Sequence, residues 1–305
     1  MREFLQKYNF LPAPMEGVMR PALMEVCNAL HLSQVWVTPF FRVSESVPKE
    51  RELKKFLAPF QAPGVKVILQ IMGVDPAKLA ETALRGLSAN ADGIDLNCGC
   101  PSNQVIRHGA GSGAWKTFEN TAHIIEAVRK NIGNAFFSVK TRLGFEDFSE
   151  VPPVLKLWSE AAQVDMFTLH YRTVREGYLS VPGREERLRE AGKCLAGKPL
   201  IFGNGNIKSI EEGKKLCCDA GMDGAMIGRG FWQDPFILQR HFSAQNCPAD
   251  NAPSARKILW NELSKLEYKE KFWSIGSAIE LCSLINGADS PEAQALKNQA
   301  RKNIR

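Results

Sequence analysis

Several things are scarce or missing in this sequence of 305 residues. No run of apolar residues approaches the roughly 20 that cross a bilayer as a helix, so no membrane span is expected. The opening MREFLQKYNF mixes charges with aromatics and has no apolar signal-peptide core. Eight cysteines are too few for a disulfide scaffold. Together these absences point to reduced thiols and a cytoplasmic protein. Cys98 and Cys100 have no second close cysteine pair at finger-like spacing, so no metal is expected. No Gly-x-Gly-x-x-Gly turn follows the first apolar run, which argues against a dinucleotide-binding open sheet. Neither sign of charge dominates: 39 Lys and Arg stand against 33 Asp and Glu, a formal +6. That balance is compatible with a polyanionic partner and does not name one.

What is present is an alternation. Hydrophobic residues make up 44% and charged residues 24%, ordinary for a globular chain. Short apolar, β-rich runs recur at Phe10–Met15, Gln34–Phe40, Lys66–Met72, Gly93–Gly99, Phe136–Arg142, Met166–Arg172, Pro199–Gly205 and Gly224–Gly230. They are apolar on both faces, as buried parallel strands are. Helix-like stretches follow them. Asp75–Asn90 has a proline just inside its start, Glu119–Ile132 has helical spacing, and Ser209 with Glu212 forms a capping-box pattern ahead of Ala220. Eight such units predict an α/β chain folded as a (β/α)8 TIM barrel. From about residue 243 the sequence turns polar and Pro-bearing, then helix-like. The expected organisation is a catalytic barrel over 1–242 and a helical domain over 243–305.

In such barrels the chemistry sits at the C-terminal strand ends. Here those ends carry Pro14, Met15, Glu16 and Gly17, then Gln70, then Asp95 to Pro101, then Lys140 and Arg142, then His170 and Arg172, then Asn204, Gly205 and Asn206, and finally Gly228, Arg229 and Gly230. Turn-making accounts for many of the glycines. It does not account for Gln70, Lys140 and His170 inside apolar strands, where an unpaired polar group is costly. The last two turns are the usual phosphate site of the fold; Gly205 and Gly228 let a ligand approach the backbone, and Arg229 adds charge. Lys140 and His170 at the same mouth suit the electron-rich edge of a flavin. These features point to an FMN-type barrel, with another phosphate-binding barrel as the alternative.

Six motifs go further. PMEG at 14–17, DLNCGCP at 95–101, KTRLG at 140–144, H-x-R-T at 170–173, NGN at 204–206 and IGRG at 227–230 occur in one order. In these the chain resembles the tRNA-dihydrouridine synthases, and N-C-G-C-P with PMEG most resembles their bacterial C class, which acts at position 16 of the D-loop. The resemblance covers the whole barrel. It implies an FMN enzyme that reduces the C5–C6 double bond of a tRNA uridine with NADPH, or NADH, as reductant. Pro14, Met15 and Glu16 would line the flavin, Gln70 would bond its ring edge, and Lys140 and His170 would sit by its pyrimidine part. Asn204, Gly205, Asn206, Gly228 and Arg229 would hold its phosphate. The family's catalytic cysteine precedes proline, which here makes it Cys100, and Cys98 stands where the family has Met. C6 of uracil is the electrophilic end of a conjugated carbonyl, so hydride adds there and a proton must reach C5. A thiol near its usual pKa of about 8.5 is protonated at neutral pH and can supply it. Asn97 would hydrogen-bond the base.

The partner implied is tRNA, with no membrane, no metal and no need of a second copy of the chain. Candidates for phosphate contact are Arg42, Lys49, Arg51, Lys54 and Lys55 after the second run, and Arg172, Arg175, Arg184, Arg187 and Arg189 after the sixth, with Lys297, Arg301, Lys302 and Arg305 in the tail; each cluster also contains acids, and an ordinary solvated face is the alternative for any one of them. The chain departs from the family at Tyr171, where Gly is usual, at Trp115, where a smaller aliphatic is usual, and at Gly276–Ile285, which lacks the basic residues of the C class. The competing readings are a small-molecule flavin oxidoreductase and a catalytically idle RNA-binding protein on the same barrel.

Overall fold

The computed structural model describes residues 1–243, 247–266, 274–287 and 290–302, with residues 301 and 302 as backbone only. Nine parallel strands form one sheet: β1 Phe10–Pro12, β2 Val35–Val37, β3 Phe41–Arg42, β4 Lys66–Met72, β5 Gly93–Cys98, β6 Phe136–Arg142, β7 Met166–His170, β8 Leu200–Asn204 and β9 Gly224–Ile227. The order is β1-β9-β8-β7-β6-β5-β4-β2, with the two-residue β3 also pairing β4. β1 and β2 come side by side without a ladder, so the sheet curls into a nearly closed (β/α)8 barrel, as the alternation predicts.

The expected runs overshoot the ladders where proline intervenes. β1 stops at Pro12, and β2 stops at Val37 short of Pro39, because proline has no N–H to donate. The expected helices appear as Pro76–Ser88, Phe118–Ile132 and Ile210–Ala220, and the Ser209 side chain accepts from the Glu212 N–H as its capping pattern requires.

Alternate residues of each strand face opposite ways, and this sorts the barrel into layers. Outward residues such as Leu69, Ile94, Leu96, Val139, Phe167 and Leu169 pack under the surrounding helices in the main core. Inward residues at the strands' starts form a second apolar cluster of Leu11, Val35, Ile68, Phe136, Met166, Leu200, Phe202 and Met226. The helix Arg2–Lys7 closes this lower end with Leu5, and Arg2 donates to the carbonyls of Asp165 and Lys198. Moving up the same inward face, apolar gives way to polar: Ile68 to Gln70, Phe136 to Ser138 and Lys140, Met166 to Thr168 and His170, Phe202 to Asn204. The polar residues inside apolar strands are the upper layers of the barrel interior.

Past the helix Ile237–Phe242, the described tail contains the helices Ala252–Ser264, Ile275–Asn286 and Pro291–Lys302. The first packs on Pro21–Ala29 and the second on Arg229–Gln233. Leu259, Leu263, Leu281 and Ile285 join the same core cluster as the barrel's outer layer. Among the described residues, no helix is long and apolar enough to cross a membrane.

Candidate active site at the barrel mouth

Every residue expected in the site lines a single cavity of about 650 Å3 at the C-terminal strand ends. Pro14, Met15 and Glu16 bound one side, Gln70 and Asn97 the floor, Cys100 a wall, and Lys140 and His170 the face across β6 and β7. Asn204, Gly205, Asn206, Gly228 and Arg229 form the far end. The lining also takes in Phe40, Tyr178, Lys208 and Gln233, which no sequence motif marks, and Arg142 and Arg172, which stand at the strand ends without an assigned role in the site. In-phase spacing from Lys140 to Arg142 and from His170 to Arg172 was the available signal for the two arginines.

The floor is a chain of hydrogen bonds running along the ladder rungs. Gln70, Asp95 and Ser138 are register partners on β4, β5 and β6. Ser138 Oγ donates to Asp95 Oδ1 at 2.5 Å, and Gln70 Nε2 donates to Asp95 Oδ2 at 2.8 Å. Asn97 Nδ2 donates to Gln70 Oε1 at 2.7 Å, and Asn97 Oδ1 accepts from the N–H groups of Gly99 and Cys100 at 3.1 and 3.0 Å. Burial pushes the Asp95 carboxyl up to about 6, against the pull of Ser138, Gln70 and Lys140.

The Cys100 thiol sits partly buried in the wall, and burial raises its pKa above the ordinary value. At neutral pH it therefore holds its proton. Cys98 is fully buried on the outward face of β5 and is raised further still. Its packing role is that of a small apolar side chain.

Lys140 reaches Asn204, with Nζ donating to Oδ1 at 3.1 Å, while Asn204 Nδ2 donates to the Met226 carbonyl at 2.8 Å. Burial brings the Lys140 ammonium down to about 8. His170 is lowered well below its ordinary range, first by burial and then by Arg142, Lys140, Arg172 and Arg229. Its Nδ1 accepts from the Arg172 N–H at 3.4 Å, so the neutral ring carries its proton on Nε2. The positive charge at the mouth therefore comes from Lys140 and the arginines, and His170 offers a neutral N–H.

The two buried arginines act as struts. Arg142 donates to the carbonyls of Gly99, Thr173 and Gly177, tying the cysteine loop to the loop after β7. Arg172, only 1% exposed, bonds the Leu179 carbonyl and covers the Tyr171 ring at 4.4 Å. It is therefore not the surface phosphate contact the sequence suggests, because its guanidinium is enclosed. Its neighbours are engaged as well: Arg175 pairs with Glu146, Arg187 with Glu176, and Arg189 bonds the Asp219 carbonyl. Arg184 pairs with Glu185 and Glu212 and braces the Asn206 carbonyl at 3.2 Å. Arg42, Lys49, Arg51, Lys54 and Lys55 are exposed, Lys54 pairing with Glu50. Of the tail candidates, Arg305 and the side chains of Arg301 and Lys302 lie outside the described residues, and Lys297 sits in the last helix.

At the far end, Gly205 has a φ of +119°, and a Cβ there would lie 2.6 Å from the Tyr171 ring. Asn206 also takes a positive φ, and its Oδ1 accepts from Arg229 at 3.2 Å. Among the described residues, no group of three or more His, Cys, Asp or Glu is placed to hold a metal ion.

The sequence matches the family model for dihydrouridine synthase (Dus) over residues 11–300. The chain belongs to the dihydrouridine synthase family. It is 30% identical over 264 residues to the tRNA-dihydrouridine(16) synthase of Haemophilus influenzae, covering 84% of this chain and 81% of that protein. It is also 30% identical over 238 residues to the tRNA-dihydrouridine(16) synthase of Ralstonia nicotianae, covering 76% and 72%. Among solved structures it resembles the old yellow enzyme homologue of Zymomonas mobilis, with a TM-score of 0.55 and 14% identity over 80% of this chain and 91% of that one. Morphinone reductase in complex with tetrahydroNAD matches with a TM-score of 0.55 and 12% identity, over 80% and 89%. At such identities the likeness concerns the barrel fold.

Proposed function

We propose that this synthase is an FMN-dependent enzyme that reduces the C5–C6 bond of uridine 16 in the tRNA D-loop, with NADPH as reductant. The observation that carries the reading is the convergence of Cys100, Asn97, Lys140, His170 and the Asn204–Asn206 turn on one cavity. Its size is that of a cofactor site. The cavity is cationic, as an anionic phosphorylated cofactor requires: Lys140, Arg142, Arg172, Lys208 and Arg229 line it, against Glu16 as the one carboxylate among the lining residues. Bound there, FMN would supply the two-electron chemistry, with NADPH restoring it.

The chain's own residues supply the rest. Asn204, Gly205, Asn206, Gly228 and Arg229 would hold the phosphate, and Pro14, Met15 and Glu16 would border the ring. Gln70 and the Lys140 ammonium would meet its polar edge, with neutral His170 as a further donor. Asn97 orients the uracil. Cys100, held protonated by burial, gives its proton to C5, so the reduced base gains two electrons and two hydrogens in all.

The uridine must leave its stack to enter the cavity. Tyr178, 66% exposed at the rim with the Arg142 and Arg229 guanidiniums 5.4 and 5.9 Å from its ring centre, offers a face for an unstacked base. The exposed basic residues from Arg42 to Lys55 would grip the backbone, and residues 243–305 would form a second tRNA-binding domain beside the mouth. The described helix Ile275–Asn286 brings exposed Glu280 and no Lys or Arg to that side, so tail contact differs in charge from the basic C-class helix.

Reconstitution tests the cofactor: the protein should take up FMN stoichiometrically and show a flavin spectrum. A protein that stays colourless in FMN overturns the reading. Mapping dihydrouridine on unmodified tRNA should place it at position 16 alone; modification elsewhere overturns the position.

A further inference from the structure

Asp95 does not line the cavity, touches none of the residues proposed to hold the phosphate, and is fully buried. A carboxylate in that position needs a reason, since burial disfavours its charged form. The hydrogen-bond chain above it supplies one.

The chain has fixed polarity at both ends. At neutral pH the Asp95 carboxylate only accepts. The Gln70 amide must then present its NH2 to Asp95, which turns Oε1 toward Asn97. Asn97 must present its own NH2 to that oxygen, which turns Oδ1 toward Gly99 and Cys100. At this far end two backbone N–H groups can only donate. Every amide between the two ends has one orientation that satisfies both.

We propose that Asp95 is a positioning residue: through Gln70 it fixes the amide orientation of Asn97, and so holds the backbone that carries Cys100. A flipped Gln70 would set NH2 against NH2 at Asn97, and a flipped Asn97 would turn NH2 against the N–H groups of Gly99 and Cys100. Ser138 anchors the start of the chain by donating to the other carboxylate oxygen. The catalytic meaning of this control rests on the proposed role of Cys100, whereas the structural control does not.

The test is amide hydrogen exchange, read by mass spectrometry on the full-length protein, in wild type, Asp95→Leu, Gln70→Met and Asp95→Asn. The Gly99 and Cys100 amides bond the Asn97 side chain, so their exchange reports its orientation without turnover. Asp95→Leu and Gln70→Met should speed exchange in the peptide bearing Gly99 and Cys100 by about tenfold or more, with the peptides of β1 and β9 unchanged. Asp95→Asn should stay within about threefold of wild type, since its Oδ1 still accepts from Gln70. Its NH2 would then face Ser138 Oγ, whose proton can turn to the Ile94 carbonyl, 3.5 Å away. In dihydrouridine assays kcat should fall in the same order with KM for tRNA unchanged. Unchanged exchange in Gln70→Met overturns the proposal, and this variant decides alone if Asp95→Leu does not fold. Equal loss in Asp95→Asn and Asp95→Leu also overturns it, by showing that charge and not acceptor geometry matters. If the protein forms no dihydrouridine at all, the exchange pattern still stands or falls separately.

Discussion

Lys140 and Asn204 meet across the barrel mouth, the ammonium of one donating to the side-chain oxygen of the other at 3.1 Å. The contact joins the residue proposed to meet the flavin ring to the turn proposed to hold its phosphate. It also leaves Lys140 poorly solvated, with a pKa near 8 set by burial, lowered further by Arg142 and opposed by Asp95.

The first prediction follows from that pKa. The ammonium is charged below about pH 8 and neutral above it. Turnover of the FMN-loaded enzyme should therefore decline as pH rises through about 8. Lys140→Arg, which stays charged, should abolish that limb while lowering the plateau by about tenfold or more through lost geometry.

Stability should move the other way. An unfolded lysine keeps its proton to about pH 10.4, so between about 8 and 10.4 the unfolded chain binds more protons than the folded one. Stability from this group rises with pH across that window. Lys140→Met removes the desolvated ammonium and should raise Tm at pH 7 by about 2 °C or more in calorimetry, with loss of activity.

Gly205→Ala sets a Cβ 2.6 Å from the Tyr171 ring at a φ of +119°. The turn must shift. We expect destabilisation of about 1–3 kcal/mol in denaturant unfolding and a lower ratio of bound flavin to protein in the visible spectrum.

Arg142→Ala would strip the carbonyls of Gly99, Thr173 and Gly177 of their shared donor. The expected loss is about 2–4 kcal/mol in denaturant unfolding, with faster proteolysis of the loop after β7. Arg142→Lys should recover little of it, because an ammonium cannot span three carbonyls on two loops.

The barrel was legible because buried parallel strands leave a plain trace: KVILQIM and FFSVKTR reappear as β4 and β6 with unchanged bounds. The two-residue β3 has no such trace, since Phe41 and Arg42 make too short a run to show a period. The helix Arg2–Lys7 likewise buries only Leu5 and reads as a polar terminus. The site was legible where a polar residue interrupted an apolar strand, as at Gln70, Lys140 and His170. Arg142 and Arg172 were seen in the motifs but not in their roles, because arginine normally marks a surface. Their carbonyl partners lie on loops whose paths no local pattern encodes. The same gap explains the expectation that Arg184 and Arg187 grip RNA: the acids that engage them, Glu212 and Glu176, come into range only in the folded chain.

The central claim is that Cys100 protonates a uridine held in this cavity. It is tested most directly by dihydrouridine formation on unmodified tRNA, with NADPH and FMN-loaded protein, in wild type, Cys100→Ala and Cys98→Ala. Wild type should form dihydrouridine, Cys100→Ala should lose about 10²–10⁴-fold in kcat while keeping its flavin, and Cys98→Ala should lose less than about tenfold. A Cys100→Ala enzyme as fast as wild type would contradict the account.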